Sequence, residues 1–348
     1  MQKNVLASLD QPIKICKLER QFHKWYIRSG VSCYMKLVVL IPAYNEEANI
    51  EKAVLSIPRK IMGIEQVQVL VVNDGSRDNT IEYAMNGGAD KVVSHKRNSG
   101  VGAAFMTGIR NAIMMNADIV VTIDADSQFD SKEIPDLVVP ILNHQADVVI
   151  GSRFQGKAPK NIPKIKLLGN TIFSKLVSWV VSQRFTDTQT GLRAYSKEAL
   201  LNISVVNEFT YTQEVLIDLK FKRLQITEIP VSVAYDDKRK SRVVKSIFGY
   251  STRALSIITR TLLYHRPIFS FGILGAILSG GGILAKILTI TNILGVNTSL
   301  STGFIILGAV SFMMGLFASV VFKRQAFAEK ELRHYVDKSM VFSSANGL

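Results

Sequence analysis

Between Arg266 and Lys323 the only charged residue is Lys286, and nothing else in the chain restricts its fold as much. An interval of that length accommodates two apolar helical spans of about 20 residues each, joined by a short turn. The first is expected from about Pro267 to Ile290 and the second from about Thr302 to Phe322. A hairpin of soluble core helices would carry a polar stripe, which this interval lacks. Glycines at 272, 275, 280, 281, 282, 308 and 315 suit close helix approach in lipid. His265 and Arg266 precede the first span, Lys323 and Arg324 follow the second, and the loop from roughly Thr291 to Ser301 is uncharged. The cytoplasmic bias of cations then puts both flanks, and the large N-terminal part, on the cytoplasmic face of a multi-pass membrane protein. The loop also holds Asn297-Thr298-Ser299, which fits a glycosylation acceptor.

The formal net charge of +14 calls for an anionic partner: nucleic acid, a phosphate-rich substrate or an acidic membrane surface. Much of the basic surplus flanks the spans and no nucleic-acid recognition module is visible, so nucleic acid is set aside. Cys16 and Cys33 support neither a disulfide framework nor a CxxC metal site, and the five histidines show no ligand spacing. Residues 1–34 lack a signal-peptide core and read as a basic extension, with an interfacial helix around "IKICKLERQFHKWYI".

From residue 35 to 234 apolar runs alternate with helical stretches. "KLVVLIPAYNEE" gives a strand over Leu37 to Ile41 closed by Pro42, then a helix from Asn49 to Ile57. "VQVLVVNDGS" gives a second strand, followed by a helix from about Asp78 to Met85. "KVVSHK" is a third strand, "SGVGAAFMTGIRNAIMM" a small-residue helix, and "DIVVTIDAD" and "ADVVIGSRF" are strands four and five. Such alternation implies an α/β domain with a mostly parallel sheet covered on both faces. Ligands of these sheets bind beyond the carboxyl ends of the strands, where Tyr44, Asn45, Glu46, Asn73, Asp74, Asp124, Asp126, Ser152 and Arg153 fall. A dinucleotide-binding reading fails, because the first strand is followed by "PAYNEE" rather than a glycine fingerprint.

The stretch "VVTIDADSQFD" places Asp124, Asp126 and Gln128 two apart behind a β-branched run. If the strand continues through them, alternate residues share a face and all three oxygens aim at one point. Carboxylate and amide oxygens suit a hard divalent cation such as Mg²⁺ or Mn²⁺, which keeps waters and takes up substrate phosphates. A solvated Asp/Ser turn is the alternative.

"IPAYNEEANI", "VNDGSRDNT", "NSGVGAAFMTGI", "DADSQ", "GSRF" and "DTQTGLRAY" resemble, in that order, the motif series of family 2 glycosyltransferases with the Rossmann-like GT-A fold. Within that family the chain is similar to dolichyl- or polyprenyl-phosphate sugar synthases of the dolichol-phosphate mannose synthase type. The resemblance covers about residues 36–245. It implies that Asp124, Asp126 and Gln128 hold the metal, with Ala125 in backbone contact with the nucleotide. It implies that Pro42, Tyr44, Glu46, Val72 and Asp74 hold base and ribose, and that Arg153 binds the acceptor phosphate. Asp187, Thr190, Gly191 and Arg193 fall on its Asp, Ser/Thr, Gly and Arg positions, with Asp187 as base or orienting group and Thr190 and Arg193 on the acceptor side. The chain departs from the mannose synthases by carrying Thr186, not a basic residue, before Asp187. Gln189 and Thr190 are similar to archaeal relatives that use UDP-sugars.

Residues 235–266 form a basic bridge to the membrane. From Val243 onward an amphipathic helix is expected, with Ile247, Tyr250, Leu255, Ile258 and Leu262 opposite Lys245, Arg253 and Arg260, lying in the headgroup region. Lys238, Arg239, Arg242 and Lys245 would guide a lipid-borne phosphate towards Arg153. The domain order is therefore 1–34 extension, 35–234 catalytic, 235–266 interface, 267–322 hairpin and 323–348 cytoplasmic tail. The expected activity is metal-dependent, inverting transfer of a hexose from a nucleotide sugar to dolichyl or polyprenyl phosphate, making a lipid-linked donor for glycosylation. GDP-mannose is the first expectation for the donor, with UDP-glucose or UDP-GlcNAc as alternatives. A saccharide-extending transferase lacks its Q-x-x-R-W-type motif here. A non-catalytic scaffold binding sugar nucleotides would not need the intact acidic stretch.

Overall fold

The computed structural model describes residues 35–155, 162, 164–203, 211–234, 247–291 and 298–345. The extension 1–34, the basic group Lys238, Arg239, Arg242 and Lys245, and Asn297 of the acceptor triplet lie outside the described residues. The catalytic half runs β1 (Lys36–Ala43), α1 (Ile50–Leu55), β2 (Gln66–Asn73), α2 (Thr80–Asn86), β3 (Lys91–Ser94), α3 (Val101–Met114), β4 (Ile119–Thr122), α4 (Ile134–Leu142) and β5 (Val148–Ser152). It continues with α5 (Lys164–Val181), β6 (Arg193–Ser196), α6 (Lys197–Asn202), α7 (Thr212–Phe221) and β7 (Ile226–Pro230).

The seven strands form one sheet in the order β3-β2-β1-β4-β6-β5-β7. All neighbours pair parallel except β6, which lies antiparallel between β4 and β5. Both faces are covered. Val38, Leu40, Leu70, Val72 and Val120 join Phe105 and Ile109 of α3 in one core. Their chain neighbours Leu37, Val39, Ile41, Val71 and Val121 join Ile50, Ile134 and Leu137 in the other. Burial on both faces is why these strands read as unbroken apolar runs. Pro42 does not close β1: the strand continues to Ala43, with Pro42 registered against Val72. Pairing with β4 has stopped at Leu40, so a residue lacking an N–H is tolerated on that open side. Strands β6 and β7 were not expected, because "RAYS" and "ITEIP" carry no apolar run and owe their state to neighbouring backbones.

Beyond the sheet come α8 (Ile247–His265), α9 (Pro267–Ile290) and α10 (Thr298–Ala345). Two helices, Pro267–Ile290 and Thr298–Gln325, are long and apolar enough to cross a membrane, and they are largely exposed. The second begins earlier than expected and runs helical past Phe322, since neither glycine nor proline follows Gly315 in it. The hairpin closes through small residues: a side chain at Gly275 or Gly308 would strike the other glycine's carbonyl. Ser279 Oγ donates to Ile305 O at 3.3 Å and Ser311 Oγ to Phe271 O at 3.0 Å. Gly280 and Gly281, by contrast, face open space, because the interface repeats along one helix face only.

Helix α8 is amphipathic, but part of its apolar stripe packs on protein rather than facing the headgroup layer. Ile258 is buried in the catalytic core and Leu262 packs against it, while Leu255 is exposed. At its end His265 Nε2 lies 3.3 Å from Asp218 Oδ1 of α7. The His265 ring stacks on Phe221 at 4.6 Å, and the Arg266 guanidinium lies 5.1 Å from the Phe221 centroid. Burial opposes ionisation of Asp218, but hydrogen bonds from His265 and Lys222 hold its carboxyl below the usual range.

Candidate active site

The carboxyl ends of β1, β2 and β4 lie side by side, with Ala43 registered against Asn73 and Leu40 against Thr122. The chain leaving β1 turns at Asn45, φ 53°. The Asn45 N–H donates to Ser76 Oγ and its Oδ1 accepts from the Arg77 N–H, both at 2.9 Å. The Glu46 N–H donates to Thr80 Oγ1 at 2.8 Å, and its carboxylate accepts from Asn49 Nδ2 at 3.0 Å. The loops after β1 and β2 are thus one laced unit holding half-buried Tyr44 beside buried Glu46. Asp74 accepts from the Ser99 and Gly100 N–H groups, each at 2.8 Å, and contacts His95 Nδ1 at 2.7 Å. That places a negative charge at the N-terminus of α3, where the helix dipole favours it.

Strand β4 stops at Thr122, so Asp124, Asp126 and Gln128 do not share a strand face. Ser127 has φ 57°, and Asp126 Oδ1 accepts from the Gln128 N–H at 3.1 Å, a side-chain-capped turn. The two aspartates therefore meet through a turn. The Gln128 carbonyl accepts from the Ala234 N–H at 2.9 Å, which anchors the turn to the chain after β7. Burial, repulsion from Asp126 and repulsion from Glu46 push the Asp124 carboxyl up to about 7, against the opposing pull of Arg153 and Arg193. Gly191 forms the wall behind it, since a Cβ there would lie 2.8 Å from both Asp124 Cγ and Oδ2. Thr122 Oγ1 donates to the Gly191 carbonyl at 2.6 Å and holds that wall in place.

Arg153 follows β5 and grips Asp187 as a fork: Nε donates to Oδ2 at 2.6 Å and Nη2 to Oδ1 at 2.9 Å. Asp187 is fully buried and the Arg153 side chain is 18% exposed, so this is a partly desolvated pair rather than a surface salt bridge. The Asp187 N–H and the Thr186 N–H both donate to Glu228 on β7, at 3.0 Å and 2.9 Å. The Arg193 guanidinium is engaged by backbone carbonyls. It is fully buried, donating to the carbonyls of Thr190, Thr188 and Thr212 at 3.1, 2.9 and 2.7 Å. As the first residue of β6, inside the sheet, it pins the loop before it. Thr190 is likewise buried, its hydroxyl accepting from the Leu192 N–H at 3.2 Å. The Val72 side chain lies in the core, leaving only its backbone for a nucleotide, and Ala125 is buried beside the acidic turn.

Among the described residues no three His, Cys, Asp or Glu side chains form a metal cage. The donor set still fits a hard cation, because two carboxylates that repel each other gain from one, and Mg²⁺ or Mn²⁺ completes its shell with water and phosphate. Ser127 Oγ and Gln189 Nε2, on the loops flanking Asp124, are buried without a hydrogen-bond partner. Such atoms cost about 1–3 kcal/mol each until a ligand satisfies them, and a sugar diphosphate is rich in acceptors. Sequence reasoning missed Glu228, His95 and Tyr211, which stacks on Phe105 at 3.8 Å. Their roles come from neighbours distant in the chain, and no local pattern marks them.

The profile described as "Glycosyl transferase family 2" matches residues 38–203. The UDP-N-acetylglucosamine--dolichyl-phosphate N-acetylglucosaminyltransferase of Methanococcus voltae is 32% identical over 234 residues, covering 62% of this chain and 92% of that protein. The dolichyl-phosphate hexose transferase of Haloferax volcanii is 31% identical over 196 residues, covering 56% of this chain and 81% of that protein. The dolichol-phosphate mannosyltransferase of Pyrococcus furiosus is 29% identical over 224 residues, covering 62% of each. Among solved structures, glucosyl-3-phosphoglycerate synthase of Mycobacterium tuberculosis, crystallised with Mn²⁺, UDP and glucosyl-3-phosphoglycerate, superposes with a TM-score of 0.52. It is 24% identical and covers 69% of this chain and 81% of that one, a likeness of fold.

Proposed function

From the premise that the chain belongs to glycosyl transferase family 2 and is a glycosyltransferase, we propose that it transfers a hexose from a nucleotide sugar to a polyprenyl or dolichyl phosphate at the cytoplasmic face of a membrane. The observation that carries this reading is the meeting of the Asp124–Asp126 pair with the Arg153–Asp187 pair on one sheet edge. Anionic donor and anionic acceptor both need such a site, and α7 ties the domain through His265 to a hairpin able to reside in the acceptor's membrane.

In this reading Tyr44, Glu46, Asp74 and the backbone at Pro42, Val72 and Ala125 hold base and ribose. Asp124 and Asp126, with Gln128 nearby, would hold Mg²⁺ or Mn²⁺, which would supply charge neutralisation for the departing diphosphate. An acceptor phosphate oxygen attacks the anomeric carbon as its bond to the diphosphate oxygen breaks. The bond pair leaves with the nucleoside diphosphate and the anomeric configuration inverts. The acceptor is largely ionised at neutral pH, so the chain's task is positioning and electrostatic stabilisation rather than strong base catalysis. Arg153 orients the acceptor phosphate and Asp187 holds Arg153. Arg193 and Thr190 build the floor. The basic group at 238–245 draws the lipid phosphate in, at about 1 kcal/mol per cation near an anionic surface.

A UDP-sugar is favoured over GDP-mannose as donor. The Methanococcus voltae relative, named for UDP-N-acetylglucosamine, aligns over 92% of its length, and Thr186 stands where mannose synthases often carry a basic residue. The test is incubation of purified protein with polyprenyl phosphate and a labelled panel of UDP-GlcNAc, UDP-glucose and GDP-mannose, with and without EDTA. Lipid-linked label from a UDP-sugar, abolished by EDTA and restored by Mn²⁺, is the expected result. Transfer only from GDP-mannose would reverse the donor assignment, and no lipid-linked product from any donor would refute the acceptor.

A further inference from the structure

Glu228 stands on β7, registered against Ile150 of β5, and has no part in the reaction as described. Its carboxylate takes the Thr186 N–H on both oxygens at 3.0 and 2.9 Å, the Thr186 hydroxyl at 3.0 Å and the Asp187 N–H at 3.0 Å. Thr186 Oγ1 also lies 2.6 Å from Ser152 Oγ, on the residue before Arg153. One carboxylate thereby fixes two successive peptide N–H groups, and with them the direction in which the Asp187 side chain leaves the chain. Asp187 in turn holds both Nε and Nη2 of Arg153. An ionised carboxylate only accepts hydrogen bonds, so it suits a cluster of donors with no competing acceptor.

We propose that Glu228 is a positioning residue for transfer: it sets the aim of Asp187, and through Asp187 that of Arg153, on the acceptor side of the site. The proposal rests on Arg153 being the group that meets the acceptor phosphate. Glu228→Ala leaves two peptide N–H groups without their acceptor and frees the loop. Glu228→Gln keeps one oxygen for the backbone groups while the Thr186 hydroxyl turns to accept from the new amide, so it restores most of the geometry. Thr186→Val removes only the hydroxyl link to Ser152 and Glu228. The donor loops, held by Ser76, Thr80 and Asp74, share none of these bonds.

The experiment uses the full chain in detergent, with polyprenyl phosphate and whichever donor the wild type uses, measuring transfer and donor hydrolysis per folded protein. Misplacing a reacting group by about 1 Å costs on the order of 100-fold, so Glu228→Ala is expected to lower the transfer kcat by about that factor. Donor KM should stay within about two-fold, and hydrolysis per transfer should rise, because water needs no aimed arginine. Glu228→Gln should recover at least about ten-fold of the loss and Thr186→Val should cost only a few-fold. Normal kcat and an unchanged hydrolysis ratio in Glu228→Ala overturn the proposal. So does a loss that disappears once rates are normalised to folded protein. Should the wild type use an acceptor other than lipid phosphate, the function reading fails by itself, and the same ratio measured with that acceptor still decides the role of Glu228.

Discussion

Replacing Gly191 by alanine presses first on one carboxylate, that of Asp124. A Cβ at this position would sit 2.8 Å from Asp124 Cγ and Oδ2, and closer still to Oδ1. Ordinary van der Waals contact begins at 3.4 Å, so the carboxylate must retreat by roughly 0.6–1 Å. The φ of Gly191 lies outside the left-handed region, so alanine adds no backbone strain there, and the Thr122 bond to the Gly191 carbonyl is untouched. Misplacement of that size costs about 10- to 100-fold in rate, or ~1.4–2.7 kcal/mol. The assay is the initial rate of lipid-linked product at saturating donor and acceptor, with Mn²⁺ titrated. Because the shifted group is the proposed cation ligand, kcat should fall in that range and the half-saturating Mn²⁺ concentration should rise, with Tm within a few degrees of wild type. A variant with wild-type rate and wild-type Mn²⁺ response would refute the assignment of Asp124 as the group that the Gly191 wall positions.

Asp124→Asn should be severely impaired in transfer yet more stable than wild type without metal at pH 8. The Asp124 carboxyl is held up to about 7, above its ordinary 3.8. The folded state therefore binds this proton more tightly than the unfolded chain, and metal-free stability falls as pH rises between about 4 and 7. Thermal melts of wild type and variant across that range should diverge with rising pH, and parallel curves would contradict the shift. Arg153→Lys loses the fork to Asp187 and should lower turnover at saturating lipid by about ten-fold or more, independent of salt. A normal rate would move the acceptor phosphate to Arg184, an exposed residue three positions before Asp187 in the chain. Tags before Met35 and after Leu348 should be equally protected in sealed right-side-out vesicles, and opposite labelling of the two would exclude a hairpin.

Some of this protein is determined by residues acting over short distances, and the sequence alone shows it. The Val, Ile and Leu runs of β1, β2 and β5 announce strands buried on both faces, because a parallel sheet under two helical layers leaves them no polar side. The interval charged only at Lys286 announces two helices long and apolar enough to cross a membrane, because a bilayer core asks for about 20 apolar residues per span. Polar residues at strand ends mark the site edge for the same local reason. The tertiary structure decided which of those residues touch. The acidic stretch turns after Thr122 because the β4 pairing with β1 ends there, and no spacing rule foretells that. Arg193 looks like a phosphate ligand in the sequence, yet β6 inserts between β4 and β5 and buries it under three carbonyls. Glu228 follows Asp187 by 41 residues and carries no local signal. It acquires its place only when β7 pairs with β5, because a hydrogen bond records proximity in space and is indifferent to separation along the chain.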